Sequence, residues 1–346
     1  MLSNAPIPMT HDDADLAAAR EHDGVAFARL VAPYRGGLYA HCYRMLGSSH
    51  DAEDALQEAL LRAWRGLPRY ERRASLRTWL YTIATNVSLK ALERRPRRLL
   101  PLDHGPPSDP HGVPDAAVAE PLWLEPFPDD VVADGRASPE ARYEQRESVE
   151  LAFVAALHHL PPRQRAVLLL RDVLGFAPAE IAEALDATPA AVYSALQRAH
   201  AAIDERLPQR SQQATLRSLG DQRLRSVVER YVQAWEDGDV DAIMAMLTAD
   251  ATFAMPPRPG WYRGREAIGT FLSAYPLSVP RWRLVPARAS GQLAVGTYLV
   301  RDGRPEAHSL ELLTLDGEAR IAAVMSFHRP EAFPRFGLPL ELEAVA

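Results

Sequence analysis

The hydrophobic pattern of this chain changes its period part-way along, and that change excludes one uniform fold. Apolar residues recur at helical spacing over 12–96 and again from about 138 to 207. Farther on, stretches such as RWRLVPARA and SLELLTLDG read as strands joined by Gly and Pro turns. A chain of 346 residues also exceeds one comfortable core. The sequence therefore predicts a multidomain protein, with all-α domains followed by a separate α+β domain.

The first helical block contains one strongly periodic segment, SSHDAEDALQEALLRAW. Ser48 or Ser49 can cap this helix, and the acids that follow suit its positive N-terminal end. A Gly-Leu-Pro break ends it at 66–68. Ser75 can cap a second helix, which carries LRTWLYTIATN and extends to Pro96. These helices predict a domain over 12–98.

Charge is distributed in blocks, although the net charge is only -6. Residues 62–98 contain eleven Arg or Lys and two acids, a balance of +9. Residues 99–150 contain twelve acids and three Arg, a balance of -9. A basic block interleaved with aromatic residues is typical of a nucleic-acid-binding surface, and the plain alternative is a solvated face. Trp79 can equally belong to the core. We expect greater exposure for Arg77, Tyr81, Asn86 and the cluster of Arg94, Arg95, Arg97 and Arg98.

An acidic linker rich in proline separates the two helical blocks, over 99–138. Its stretch PLWLEPFPDD is too aromatic for a simple spacer, so we expect Trp123 and Phe127 to dock onto a domain. The linker could pair with the basic surface when nucleic acid is absent, or it could merely keep the domains apart. A second, polar spacer is expected over 208–220.

The second helical block, 139–207, predicts a helix-turn-helix domain. A helix begins at Pro162 and stops at Gly175, and a short helix begins at Pro178. After a corner at 186–187, Thr188 can cap a final helix whose first turn contains Pro189. Two helices joined by so short a corner are a signal of good specificity.

Composition narrows the class of protein further. Cys42 is the single cysteine, which excludes a disulfide framework and a cysteine-based metal site. No stretch approaches the ~18 apolar residues that a membrane helix needs. We therefore expect a cytoplasmic protein that binds no membrane, metal or cofactor.

The ordered motifs resemble those of one known family. DAEDALQEALLRAW and SLRTWLYTIATNVSLKALERR, followed by LPPRQRAVLLLRDVLGFAPAEIAEALDATPAAVYSALQRAH, resemble bacterial RNA polymerase sigma factors of the extracytoplasmic-function group. The stretches MPPRPGWYRGREAIGTFL and FPRFGLP resemble the cone-shaped SnoaL-like fold, here placed over 221–346. The resemblance implies a non-enzymatic factor that directs core RNA polymerase to promoter DNA. It assigns region 2 to 12–98, region 4 to 139–207, and a modulating role to the C-terminal domain.

The resemblance also implies roles for particular residues. The polar side of the first long helix would dock on core polymerase, through Asp54, Gln57, Glu58 and Leu61. The loop and helix that follow would hold the minus-10 element, through Tyr70, Arg72, Arg73, Arg77, Trp79, Tyr81, Asn86, Arg94 and Arg95. The last helix of the second block would read the minus-35 element, through Thr188, Ala190, Ala191, Ser194, Gln197 and Arg198.

This last helix departs from the common family pattern, which is richer in basic residues. Tyr193, Ala195 and His200 stand at positions where basic residues are frequent, and 163–210 contains six Arg against six acids. Because few phosphates can be neutralised, we expect weak DNA binding without polymerase.

Two alternative functions stay open at this point. One is a helix-turn-helix regulator with a ligand-sensing domain. The other is an enzyme of the SnoaL-like cyclase or isomerase type, which would need a poised carboxylate or His in its pocket. The polar candidates there are Asp250, Tyr275, His308 and His328. A small ligand or an anti-sigma protein also stays open as a further partner.

Overall fold

The computed structural model describes residues 11–93, 97–118, 123–129, 148–278 and 281–343. The first helical unit follows the caps expected from sequence. The Ser48 hydroxyl accepts a hydrogen bond from the Asp51 amide, and the Ser75 hydroxyl accepts one from the Thr78 amide. Its helices are α1 (His11–Arg20), α2 (Gly24–Val31), α3 (Arg35–Leu46), α4 (Ser49–Gly66) and α5 (Leu76–Leu92).

The second helical unit confirms the helix-turn-helix. Gly175 and Asp186 adopt positive φ angles of 72° and 48° at the two turns, and the Thr188 hydroxyl caps the last helix. A π-helical turn, Leu169–Val173, extends the helix that begins at Pro162. A short α6 (Pro101–His104) in the linker precedes this unit, whose helices are α7 (Leu151–His158), α8 (Pro162–Leu168), α9 (Pro178–Ala184) and α10 (Pro189–Asp204).

The C-terminal unit is a six-stranded sheet with helices on one face. Strand order is β2-β1-β6-β5-β4-β3; β1 and β6 are parallel, and the other neighbours are antiparallel. The elements are α11 (Gln212–Leu219), α12 (Asp221–Asp237), α13 (Val240–Met246), β1 (Leu247–Ala254), β2 (Trp261–Arg263), α14 (Arg265–Ala274), β3 (Trp282–Ala289), β4 (Gln292–Arg301), β5 (Arg304–Leu315) and β6 (Ile321–Phe327).

The two faces of this sheet belong to different cores. Leu313 of β5 packs with Tyr231 and Trp235 of α12 inside the C-terminal unit. The neighbouring residues Leu310 and Leu312 point to the opposite face and join a core that includes the two helical units. The C-terminal domain therefore packs against the helical part of the protein.

The expectation of a plain spacer over 208–220 is wrong, because α11 forms there. Ser211 caps the helix, and Gln212 and Gln213 are buried. The Gln212 side chain donates to the Leu315 carbonyl and accepts from the Leu315 amide, and Gln213 donates to the Gly291 carbonyl. These polar residues look like spacer in sequence, but they bond backbone groups at the end of β5 and in the turn between β3 and β4.

The expected docking of Trp123 and Phe127 is confirmed. Both are buried, and the Phe127 ring lies 4.5 Å from that of Tyr43 in α3. Phe127 also contacts Ser290 of the C-terminal domain: its carbonyl accepts from the Ser290 amide, and its amide donates to the Ser290 hydroxyl. We call residues 123–129 the linker strap, because they join the first helical unit to the sheet.

Within the described ranges, no helix is both long enough and apolar enough to cross a bilayer.

Candidate functional site

Helix α4 presents the polar face that sequence predicts. Asp54 and Gln57 are exposed, Glu58 is half-buried, and Leu61 is 49 % exposed. The opposite side of the helix is buried in the core. Glu58 pairs with Arg62 one turn along, at 2.7 Å. The face thus combines exposed polar side chains with one exposed apolar residue, Leu61.

The loop before α5 forms one wall of a large cavity of about 740 Å³. Tyr70 stacks on Trp79 with ring centroids 4.9 Å apart, and the Trp79 side chain is partly buried rather than fully exposed. Arg72 pairs with Asp13, and Arg73 pairs with Glu71. Other lining residues from the first unit are Tyr34, Arg44, Arg77 and Tyr81, and the second unit contributes Val173 and Leu174.

The helix-turn-helix unit covers one side of α5. Arg77 donates to the Leu174 carbonyl at 2.9 Å, and the Thr78 hydroxyl donates to Glu180 at 3.3 Å. The Phe176 ring centroid lies 5.0 Å from the Arg77 guanidinium carbon and 6.0 Å from the ring centroid of Tyr81. Farther along, the exposed Asn86 donates to the Ala184 carbonyl at 3.4 Å.

Two residues expected to be exposed are buried in this arrangement. Tyr81 is 5 % exposed, because its ring contacts both His41 of α3 and Phe176 of the helix-turn-helix unit. Arg98 is 6 % exposed and pairs with Asp51 at 2.7 Å. Its guanidinium also lies 3.9 Å from Glu125 of the linker strap, so strap and basic block meet at Arg98. Arg94 and Arg95 lie outside the described residues.

Helix α10 leaves its predicted contact face open. All six predicted contact residues are exposed, whereas Val192, Leu196 and Ala199 face the core. Tyr193 is 61 % exposed on the same side and was missed as a candidate. It follows Ala190 by three residues and precedes Gln197 by four, and this helical spacing could have identified it. The six open residues are Thr188, Ala190, Ala191, Ser194, Gln197 and Arg198.

The polar candidates of the C-terminal domain do not form one site. Asp250 is exposed and accepts from the Thr248 hydroxyl, and the Tyr275 hydroxyl donates to the Gly112 carbonyl of the linker. Only His308 and His328 face each other, with ring centroids 4.8 Å apart. Burial lowers the pKa of His328 to about 3, so this ring is neutral at pH 7.

A buried carboxyl that the sequence analysis missed lies inside the same domain. Glu311 of β5 is 2 % exposed and accepts hydrogen bonds from Tyr231 at 2.8 Å and Ser326 at 3.2 Å. Burial raises its pKa to about 7. Strand alternation places it on the face of Leu313, and that pattern could have revealed it.

Comparisons with known proteins agree with this geometry. Residues 30–98 match the Sigma-70 region 2 family, 150–203 match Sigma-70, region 4, and 228–329 match the SnoaL-like domain. The three matched ranges fall in the three units of the fold, one range in each. The protein is thus a sigma-type transcription factor with an appended α+β domain.

Comparison with individual proteins specifies the family more closely. The ECF RNA polymerase sigma factor SigG of Mycobacterium tuberculosis is 44 % identical over 326 residues, which cover 90 % of this chain and 84 % of that protein. SigW of Bacillus subtilis is 30 % identical over 54 % of this chain and 92 % of its own length. The crystal structure of Mycobacterium tuberculosis SigJ shares the fold, with a TM-score of 0.55, 24 % identity, and coverage of 90 % of this chain and 99 % of that one.

The chain belongs to the extracytoplasmic-function sigma factors of RNA polymerase. It directs core polymerase to promoters for transcription initiation and carries a C-terminal SnoaL-like domain. The expected initiation factor is confirmed over the alternative of an ordinary helix-turn-helix regulator.

Proposed function

We propose that three surfaces, on α4, on α5 with its preceding loop, and on α10, each bind a different part of the initiation complex. The α4 face around Asp54 and Leu61 docks on core polymerase, where opposite charge orients the encounter. The loop before α5 and the α5 helix hold unpaired minus-10 DNA by aromatic stacking and arginine contacts. Helix α10 enters the major groove of the minus-35 element. This assignment supports a cytoplasmic location, where polymerase and promoter are present.

We further propose that the structure is a resting form, which must open before promoter melting. The observation that carries this proposal is the packing of Phe176 on Arg77 and Tyr81. Two of the three residues in that contact are proposed minus-10 contacts, so DNA and the helix-turn-helix unit compete for them. In the same form, the proposed contact face of α10 stays exposed. The resting protein can therefore engage minus-35 DNA before it exposes its minus-10 surface.

The C-terminal domain, in this proposal, holds the resting form by contact rather than by turnover of a substrate. It reaches the first helical unit through Ser290 and the linker strap. It reaches the second unit through Glu150, whose carboxylate accepts from the amides of Gln212 and Gln213. A domain tied to both units opposes their separation.

A Phe176→Leu variant tests the proposed resting form. The substitution keeps an apolar side chain but removes the ring that contacts Arg77 and Tyr81, an interaction worth about 1 kcal/mol. We expect about fivefold more run-off transcript with core polymerase at subsaturating factor. The same variant should also bind a single-stranded minus-10 oligonucleotide more tightly.

The matched control is Phe253→Leu, which replaces a buried aromatic ring in the C-terminal core with a leucine side chain. It carries a similar packing cost without touching α5, and its transcript yield should equal that of the parent. Equal yields from Phe176→Leu and the parent would show that this contact does not limit promoter opening.

A further inference from the structure

The segment that follows β6 docks on the first turns of α4. Arg335 forms an ion pair with Glu53 of α4 at 2.9 Å. Arg329 pairs with Glu125 of the linker strap, and Glu125 in turn accepts from the hydroxyl of Ser48, the cap of α4, at 2.8 Å. We call residues 329–336 the C-terminal clasp, because both of its arginines hold groups at this end of the helix.

The clasp lies at the edge of the face proposed to bind polymerase. Glu53 precedes Gln57 by one helical turn, so the two side chains are neighbours on the helix surface. His50 stands one turn before Asp54, with its ring nitrogen 3.9 Å from that carboxylate. Asp54 and Gln57 therefore continue directly from the residues that the clasp approaches.

A cavity of about 260 Å³ lies between the clasp and the N-terminal turn of α4. Ser49 and His50 line it from α4, and Phe333, Arg335 and Phe336 line it from the clasp. The clasp thus stands over the N-terminal turn of α4, whereas Leu61, three turns along, is open to solvent. A partner that covers the whole polar face must meet the clasp at its N-terminal end.

We propose that the C-terminal clasp and core polymerase bind the N-terminal turns of α4 in mutually exclusive fashion. Docking of polymerase then displaces Arg335 from Glu53 and begins the release of the C-terminal domain. This inference rests on the proposed role of α4. It adds a trigger for opening, since the partner that needs the open form would itself detach the clasp.

The strength of the contact suits such an exchange. The Arg335 side chain is 33 % exposed and that of Glu53 is 49 % exposed, so solvent screens the pair and it contributes little. The Phe333 ring is fully buried, but it packs against Tyr298 of its own domain. The Arg335–Glu53 contact can therefore break without unfolding the domain that carries the clasp.

An Arg335→Glu variant of the full chain tests the competition. The variant sets two carboxylates against each other at the clasp, and we expect core polymerase to bind about threefold more tightly without DNA. The reversed pair, Glu53→Arg with Arg335→Glu, restores attraction, so its affinity should fall below that of Arg335→Glu alone. Fluorescence anisotropy of labelled factor titrated with core enzyme measures all of these affinities.

Two further variants make each outcome decisive. Arg301→Glu carries the same charge change within the C-terminal domain, where Arg301 pairs with Glu306, and should leave affinity unchanged. Asp54→Arg should weaken polymerase binding if α4 is the docking helix. A loss with Asp54→Arg but parent affinity with Arg335→Glu would overturn the competition alone. Parent affinity in both Asp54→Arg and Arg335→Glu would overturn the docking role of α4. If Arg301→Glu tightened binding as much as Arg335→Glu, the effect would come from net charge and not from the clasp.

Discussion

A chain that ends at Leu207 is expected to yield about tenfold more run-off transcript than the full chain, at equal subsaturating concentration with core polymerase. The truncation removes the tether between the two helical units, so the helix-turn-helix unit can leave α5. A tenfold gain corresponds to about 1.4 kcal/mol removed from the opening step. Several ties are lost together, including Ser290 to Phe127, Gln292 to Leu151, and Arg329 to Glu125.

A point variant separates loss of the tether from loss of the domain. Glu150 is buried and accepts from two amides in the first turn of α11. A Glu150→Gln variant keeps the side-chain shape but removes the negative charge at that helix start, which weakens the tie. Its transcript yield should lie between those of the parent and the truncated chain. If the truncated chain yields no more transcript than the parent, the C-terminal domain does not restrain initiation.

Sequence reasoning succeeded where neighbouring residues determine structure. Ser48, Ser75 and Thr188 are caps in the structure, because a cap needs only its own helix start. The predicted corner before α10 and the predicted strands also formed. The polar face of α4 can be predicted from sequence for the same reason, because helical spacing alone distinguishes its residues from those that face the core.

The failures concern contacts between units far apart in the chain. Tyr81 is at a position that α5 alone would leave accessible, and it is buried by contacts with His41 of α3 and with Phe176, 95 residues later. Gln212 and Gln213 read as spacer because their partners lie about 80 to 100 residues later, in the sheet. Hydrophobic period reports which side of an element is buried, but it does not report which other unit buries a polar or aromatic residue.

Glu311 is a further case, and it leads to a prediction about pH. In the unfolded chain its carboxyl titrates near 4.5, whereas in the fold burial raises its pKa to about 7. Between these values unfolding releases a proton, so stability falls as pH rises from about 4.5 to 7 and levels off above. The loss amounts to about 3 kcal/mol. Hydrogen bonds from Tyr231 and Ser326 persist but do not offset burial of the charge.

A Glu311→Gln variant should abolish this loss. The amide oxygen can still accept from Tyr231, and the amide nitrogen can donate to Ser326, so packing is kept. Relative to the parent, the variant should gain about 3 kcal/mol in free energy of unfolding between pH 4.5 and pH 8. Native-state hydrogen exchange of β5 and β6 amides, corrected for intrinsic rates at each pH, measures that gain within the C-terminal domain.

The control is Glu306→Gln on the same strand, where the side chain is exposed. Because the Glu306 side chain is exposed, its variant removes no buried carboxyl and should not reproduce the gain of Glu311→Gln. A pH profile of Glu311→Gln that follows the parent would mean that Glu311 is ionised inside the fold. The domain would then have to supply a positive partner or bound water to that carboxylate. The interior of the domain would in that case be more polar than the two hydrogen bonds from Tyr231 and Ser326 imply.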